Sequence, residues 1–184
     1  MVSQFVSSHQ VRLLGDLDFK FPPGTHALGR LDKDSEGLLL LTTDKRAGRL
    51  LFLDRVPHLR TYLVLVQNEL TPDTFHTLGS GIVIKIKNGD SYLARPAGIK
   101  AVKDATSYYR YATDHREAYP HTWLLISLTE GKYRQVRKMM LAVRHRCLRL
   151  IRLSIGNITL GNLKPGEVAE INEETFYRLL GIHV

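Results

Sequence analysis

The chain has 184 residues, enough for one domain or one domain with two lobes, and 43% of them are apolar, which excludes a disordered or low-complexity protein. No apolar run approaches the roughly 18 residues of a membrane span, Met1 to Gln4 lack the basic start and apolar core of a secretory signal, and the lone Cys147 excludes an internal disulfide and a cysteine zinc site, so a cytoplasmic protein is expected. A net charge of +8 suits a polyanionic partner, nucleic acid being the commonest, and equally suits a plain solvated basic surface.

In chain order, Ser3 to Ser8 is an expected extended segment and Phe21-Pro22-Pro23-Gly24 a turn. His26-Ala27-Leu28 is a short strand entering the loop Gly29-Arg30-Leu31-Asp32-Lys33-Asp34-Ser35-Glu36-Gly37. Leu38 to Leu41 is continuously apolar and turn-bounded, as a buried strand is. Thr43-Asp44 starts a helix with Leu50, Leu51 and Leu53 on its apolar side. Arg60 to Val66 is a strand rich in β-branched and aromatic residues, and Thr71-Pro72-Asp73 opens a helix ending near Gly79. Ile82 to Lys87 and Tyr92 to Pro96 form a hairpin about Asn88-Gly89-Asp90, and Ile99 to Lys103 is a further strand. Asp104 to Pro120 lacks pattern and is an expected loop.

Thr122 to Leu128 is a central strand, and Glu130-Gly131 turns the chain into a helix from Tyr133 to Val143. Cys147 to Ile155 is a strand, Leu163 to Gly166 a turn, Glu167 to Ile171 a short strand and Glu173 to Leu180 a closing helix. Helices and strands mix without βαβ alternation. The expected class is α+β with a mainly antiparallel sheet.

Three constellations stand out as chemistry. Asp32 sits in a charged, glycine-bounded loop beside a buried element. On its own it is more readily a turn residue, with Asp34 or Ser35 capping the turn. A metal site is disfavoured, because Arg30 and Lys33 lie among the acids and the cation-loop pattern is missing. The second constellation is the basic run Lys132, Arg134, Arg137, Lys138, Arg144, Arg146, Arg149 and Arg152, with no acid between them. On a helix Arg134, Arg137 and Lys138 share one side, whereas Arg149 and Arg152 face opposite sides of a strand. Such a surface suits phosphate contacts. The third is Tyr62, which alone is a core or rim residue. The histidines show no metal-ligand spacing, no phosphate-binding glycine loop or nucleophile elbow occurs, and no carboxylate pair can be read from spacing.

Together and in this order these stretches closely resemble bacterial ribosomal-RNA pseudouridine synthases of the RsuA type. The resemblance rests on Gly29 to Thr42, Arg60 to Val64, Glu130 to Met139, Leu150-Ile151-Arg152, Ile155-Gly156 and Leu163 to Glu167. It implies a pseudouridine synthase fold whose active-site cleft isomerises a uridine without a cosubstrate, cofactor or metal. It implies Asp32 as the catalytic aspartate, Tyr62 stacked on the target uracil, Arg137 paired with the aspartate, and Arg30 holding the flipped nucleotide. Lys132, Arg134, Lys138, Arg149 and Arg152 are then expected on the RNA, while Asp34 and Glu36 fall to loop or surface residues. Family members usually carry Lys where Arg60 stands. Many also carry an N-terminal S4-type domain, for which there is no room here. That points to the RluE-like subgroup acting on 23S RNA or a pre-ribosomal particle, as a monomer with no membrane association. The chain reads as one catalytic domain over residues 1–184, shortened at its N-terminus relative to members that begin with an additional strand. Left open beside it are a non-catalytic RNA-binding module of the same fold and a two-carboxylate glycosidase or metal nuclease.

Overall fold

The structure, a computed structural model, describes residues 1–53, 57–113 and 119–182. After a short 3-10 turn at Leu14–Asp16 come β1 (His26–Leu28), β2 (Glu36–Gly37), β3 (Leu40–Thr42), α1 (Ala47–Leu53), β4 (Arg60–Gln67) and α2 (Pro72–Ser80). The hairpin β5 (Ile82–Lys85) and β6 (Ser91–Ala94) leads to β7 (Gly98–Val102) and β8 (His121–Leu128). The chain closes with α3 (Gln135–Ala142), β9 (Cys147–Ile155), β10 (Ile158–Thr159) and α4 (Glu173–Leu180).

β4 lies at the centre of a six-stranded sheet, antiparallel to β8 on one side and β9 on the other. β7 extends the sheet beyond β8, and the far edge of β9 is shared by antiparallel β10 and parallel β2. The two-residue period of a strand sorts β4 between two cores. Leu63 and Leu65 pack with Trp123, Ile151 and the α4 residues Phe176 and Leu180. Val64 and Val66 pack on the other face with Leu78, Ile84, Met139 and Met140, so α2, α3 and the hairpin cover that face. Tyr62 and Arg60 share the parity of Val64 and therefore project toward the α3 side. Leu63 has no exposed surface. Leu63→Ala should cost about 2–5 kcal/mol through lost transfer energy and the cavity left behind, read as a shifted urea midpoint at unchanged slope.

Most expected elements are present, and the differences have physical reasons. The run Leu38 to Leu41 is not one strand. Gly37 pairs with β9 and Leu40 with β1, so the apolar stretch crosses between two sheets. α1 starts at Ala47 because Asp44 is spent on a local turn, its Oδ1 accepting from Arg46 N at 2.8 Å. Glu167 to Ile171 forms no strand; Glu167 is held in a turn, its N donating to Lys164 O at 3.0 Å and its Oε2 accepting from Lys164 N at 2.7 Å. Ser3 to Ser8 belongs to no ladder, although Leu14 N donates to Gln4 O at 2.9 Å. The expected loop from Asp104 to Pro120 partly lies outside the described residues. α4 follows its signals: Asn172 caps it by accepting from Thr175 N at 2.8 Å, and Gly181 ends it in the left-handed conformation.

Candidate active site

The Asp32 loop is a tight turn clamped from both ends. Ser35 N donates to Asp32 O at 2.9 Å. Before the turn, Ser3 Oγ accepts from Leu31 N at 3.0 Å and donates to Leu31 O at 3.2 Å. After it, Leu38 N donates to Arg152 O at 2.8 Å. Gly37 approaches β9 so closely that an added Cβ would lie 2.3 Å from Arg152 O, and its φ of +97° favours glycine on its own account. Sequence reasoning missed Ser3, since nothing marks a polar residue in an unpatterned segment as a clamp.

The turn opens on a cleft of about 620 Å³. Asp32, Tyr62, Arg30, Lys132, Arg134 and Arg152 all line it, so residues from four distant stretches converge as expected. Arg137, Lys138 and Arg149 are not part of the wall. Tyr62 sits opposite Arg152 in the β4–β9 register, where a bulge falls between Thr61 and Tyr62. Bulges re-aim side chains, and this one lies at the cleft. The Asp32 side chain keeps 26% of its surface, reachable yet flanked by protein.

The cations are shared out differently from the expectation. Arg137 does not pair with Asp32. Its Nε lies 3.4 Å from Asp34 Oδ2, and its two terminal nitrogens donate to the Cys147 and Asp34 carbonyls. The cation beside Asp32 is Arg134, with Nη1 4.0 Å from Asp32 Oδ2. Arg134 is in turn held by Asp34 through two bonds of 2.9 and 2.8 Å. The reason is local backbone: Arg134 is not inside the helix but precedes it in the left-handed conformation, φ 52°, so helical spacing does not fix its direction. That conformation costs a non-glycine residue roughly 1–2 kcal/mol, which the fork on Asp34 helps offset.

Asp34 and Glu36 are therefore structural acids, not idle surface groups. Glu36 accepts from Arg149 Nε at 2.7 Å and Nη2 at 2.8 Å, and Arg149 also reaches Thr113 O at 3.0 Å, so Arg149 braces the loop where a phosphate contact was expected. The hydrogen bonds from Arg134, aided by the charge of Arg137, hold the Asp34 carboxyl below its usual pKa against partial burial. A folded pKa below the unfolded one adds stability that is complete above the unfolded value and fades as pH falls through the folded one. Wild type should thus be more stable than Asp34→Asn at neutral pH, and the two should converge below about pH 4, followed by urea midpoints across the acid range.

Lys132 and Lys138 extend the basic surface from the cleft toward the hairpin. Lys132 Nζ stands 5.1 Å from the centre of the Tyr92 ring. Lys138 Nζ donates to Lys85 O at 2.6 Å and lies 5.3 Å from the centre of the exposed Tyr133 ring. Arg30 is exposed at the cleft mouth. Arg149 and Arg152 do face opposite sides of β9, Arg152 being buried within the cleft wall. Among the described residues, no three His, Cys, Asp or Glu side chains are placed to hold a metal ion, and no helix is long and apolar enough to cross a membrane.

Comparison with known proteins agrees with this geometry. A family model described as RNA pseudouridylate synthase matches residues 8–142. The chain is 36% identical over 172 residues to ribosomal large subunit pseudouridine synthase E of Vibrio vulnificus (strain CMCP6), covering 93% of this chain and 70% of that protein. It is 36% identical over 152 residues to the protein of the same name from Xanthomonas campestris pv. campestris, covering 82% of this chain and 79% of that one. A crystal structure of a pseudouridylate synthase shares the fold with a TM-score of 0.69 at 24% identity, over 88% of this chain and 63% of that one. The expected α+β fold is the one found, and the chain belongs to the RNA pseudouridylate synthase family.

Proposed function

We propose that the chain isomerises one uridine of ribosomal RNA to pseudouridine, with 23S RNA or a pre-ribosomal particle as substrate. In this reading residues 1–184 act as one catalytic domain, a cytoplasmic monomer. The observation that carries the proposal is the cleft itself. It presents one carboxylate not engaged in a close fork, Asp32, together with Tyr62 and a ring of cations. The other acid on the wall, Glu36, is tied to Arg149. The two relatives at 36% identity are named for the large ribosomal subunit, which supports the choice of RNA.

The reaction breaks the N1–C1′ bond, turns the uracil and joins C5 to C1′. C5 gives up its proton and N1 gains one, so no atom is supplied from outside. A single ionised carboxylate serves this chemistry by attacking C1′, by attacking C6, or by taking the C2′ proton. Arg134 stands 4.0 Å from the carboxylate without capping it, because Asp34 holds the guanidinium in a two-bond fork. The uridine must leave its stack, at a cost of a few kcal/mol, to reach Asp32 and stack on Tyr62. Arg30, Lys132 and Arg134 at the cleft supply phosphate contacts that offset that cost. A uridine filling the cleft keeps water from capturing C1′ while the base turns.

The test is purified protein with ribosomal RNA carrying tritium at uridine C5. Tritium released to water in proportion to pseudouridine formed is the expected result. RNA bound without release would identify a non-catalytic RNA-binding module, and release that stops with a chelator would point to metal chemistry instead.

A further inference from the structure

Arg152 is buried in the cleft wall with its hydrogen bonding incomplete. It is 6% exposed, its Nε donates to Leu38 O at 2.8 Å, and its Nη2 is buried with no hydrogen-bond partner. Among the described residues no carboxylate pairs with it. Burial weighs against its charge first, the neighbouring Tyr62 hydroxyl favours it, and a second cation opposes it. Arg60, 9% exposed, also lines the cleft, and its charge opposes that of Arg152. Arg60 Nη1 donates to two carbonyls, His58 O at 3.0 Å and Thr129 O at 3.3 Å. A buried cation lacking an anion is strongly unfavourable. Among the described residues Arg60 has no carboxylate partner either, and two such cations in one wall mark a place built for negative charge that arrives from outside the protein.

Arg152 is the register partner of Tyr62 on β4, so the two side chains stand side by side on one face of the sheet at the cleft. A base stacked on Tyr62 lies against Arg152. Uracil in a nucleoside is neutral. It becomes an anion when the N1–C1′ bond breaks, because the bonding electrons stay on N1 and spread onto the two ring carbonyl oxygens.

We propose that Arg152 is a catalytic residue that receives the detached uracil anion, donating from its guanidinium to a ring carbonyl oxygen, with Arg60 adding positive potential behind it. This rests on the reading of Asp32 as the group that acts on the uridine. The charge that Arg152 meets appears as N1–C1′ breaks. It disappears when C5 has bonded to C1′, the C5 proton has left and N1 has been protonated. Electron bookkeeping thus closes within the base, the ribose and Asp32. A donor fixed in place before the charge develops stabilises the transition state without reorganisation, and it retains the free base while it turns.

The experiment compares wild type, Arg152→Met and Arg152→Lys on a target RNA carrying either uridine or 5-fluorouridine at the modified position. Single-turnover loss of the original nucleoside is measured, alongside RNA affinity across salt concentrations. Fluorine withdraws electrons and stabilises the uracil anion, so cleavage then needs less help. Arg152→Met should slow uridine cleavage on the order of 10²- to 10³-fold and fluorouridine cleavage roughly tenfold less severely, with Arg152→Lys in between. RNA affinity and its salt slope should match wild type. Equal slowing for both bases would overturn the proposal. So would a salt slope reduced by about 1, the mark of a lost phosphate contact. If the Met variant does not fold, the Lys variant keeps the cation and carries the same comparison of bases. Wild type that binds RNA without cleaving either nucleoside would sink the synthase reading itself, whereas an active wild type with base-independent variants sinks only the role of Arg152.

Discussion

Asparagine in place of Asp32 should leave RNA bound and no pseudouridine formed. The exchange keeps the shape of the side chain and removes its charge, so it isolates chemistry from folding. The turn is held by backbone bonds and by Ser3 at Leu31, none of which involves the Asp32 carboxylate. Arg134 keeps its fork on Asp34, so the nearest cation has somewhere to stay. What is lost, on the proposed function, is the group that acts as nucleophile or base at the uridine. The expected loss of turnover is on the order of 10⁴-fold or more. RNA affinity should hold or rise slightly, because a negative charge has left a basic cleft. Tritium release from C5-labelled RNA and filter binding of the same RNA read the two quantities separately. Turnover by the purified Asn variant would remove Asp32 from the mechanism.

The second large effect is structural. Gly37→Ala should detach the catalytic loop from the sheet. The new methyl would lie 2.3 Å from Arg152 O and 2.6 Å from Arg152 N, both backbone atoms that no rotamer change can move aside. Relief requires β2 to leave β9, which breaks the pairing of Glu36 with Ile151 and of Gly37 with Arg152 and strains the fork of Arg149 on Glu36. Gly89→Ala is the matched control. Its φ is +84° and an added Cβ meets nothing within 4 Å, so it carries the conformational cost without the collision. That cost is about 1–2 kcal/mol, and the Gly37 variant should exceed it by several kcal/mol, a large share of a typical folding free energy. Its residual activity should fall at least on the order of 10²-fold, since displacing the reacting group by about 1 Å suffices for that. Urea unfolding and tritium release on both variants check the contrast. Equal stabilities would show that β2 is free to shift.

The parts of the fold legible in the sequence are those whose signal is local. β4 is marked by its β-branched and aromatic residues, and α4 spans the bounds expected for it. Leu38 to Leu41 misled because a continuous apolar run does not say which sheet it joins, and here it joins two in succession. Glu167 to Ile171 misled because strand propensity does not reveal that Glu167 is held in a turn with Lys164. Asp32, Tyr62 and the basic turn came together as the family resemblance implied. Which arginine meets which aspartate did not follow. Asp32 and Asp34 lie two residues apart, Arg134 and Arg137 three, and the left-handed backbone at Arg134 decides the pairing. The run from Lys132 to Arg152 contains no acid, which points to phosphate contacts, yet Arg134, Arg137 and Arg149 meet carboxylates from outside the run, Asp34 and Glu36.

Conversion of a ribosomal uridine to pseudouridine is the role proposed for Asp32 in this cleft. It is tested most directly by mapping pseudouridine at single-nucleotide resolution in ribosomal RNA from cells with and without the gene, the deletion being complemented by wild type or by Asp32→Asn. One signal in 23S RNA should disappear on deletion, return with wild type and stay absent with the Asn variant. A map unchanged by deletion, or a signal restored by Asp32→Asn, would contradict it.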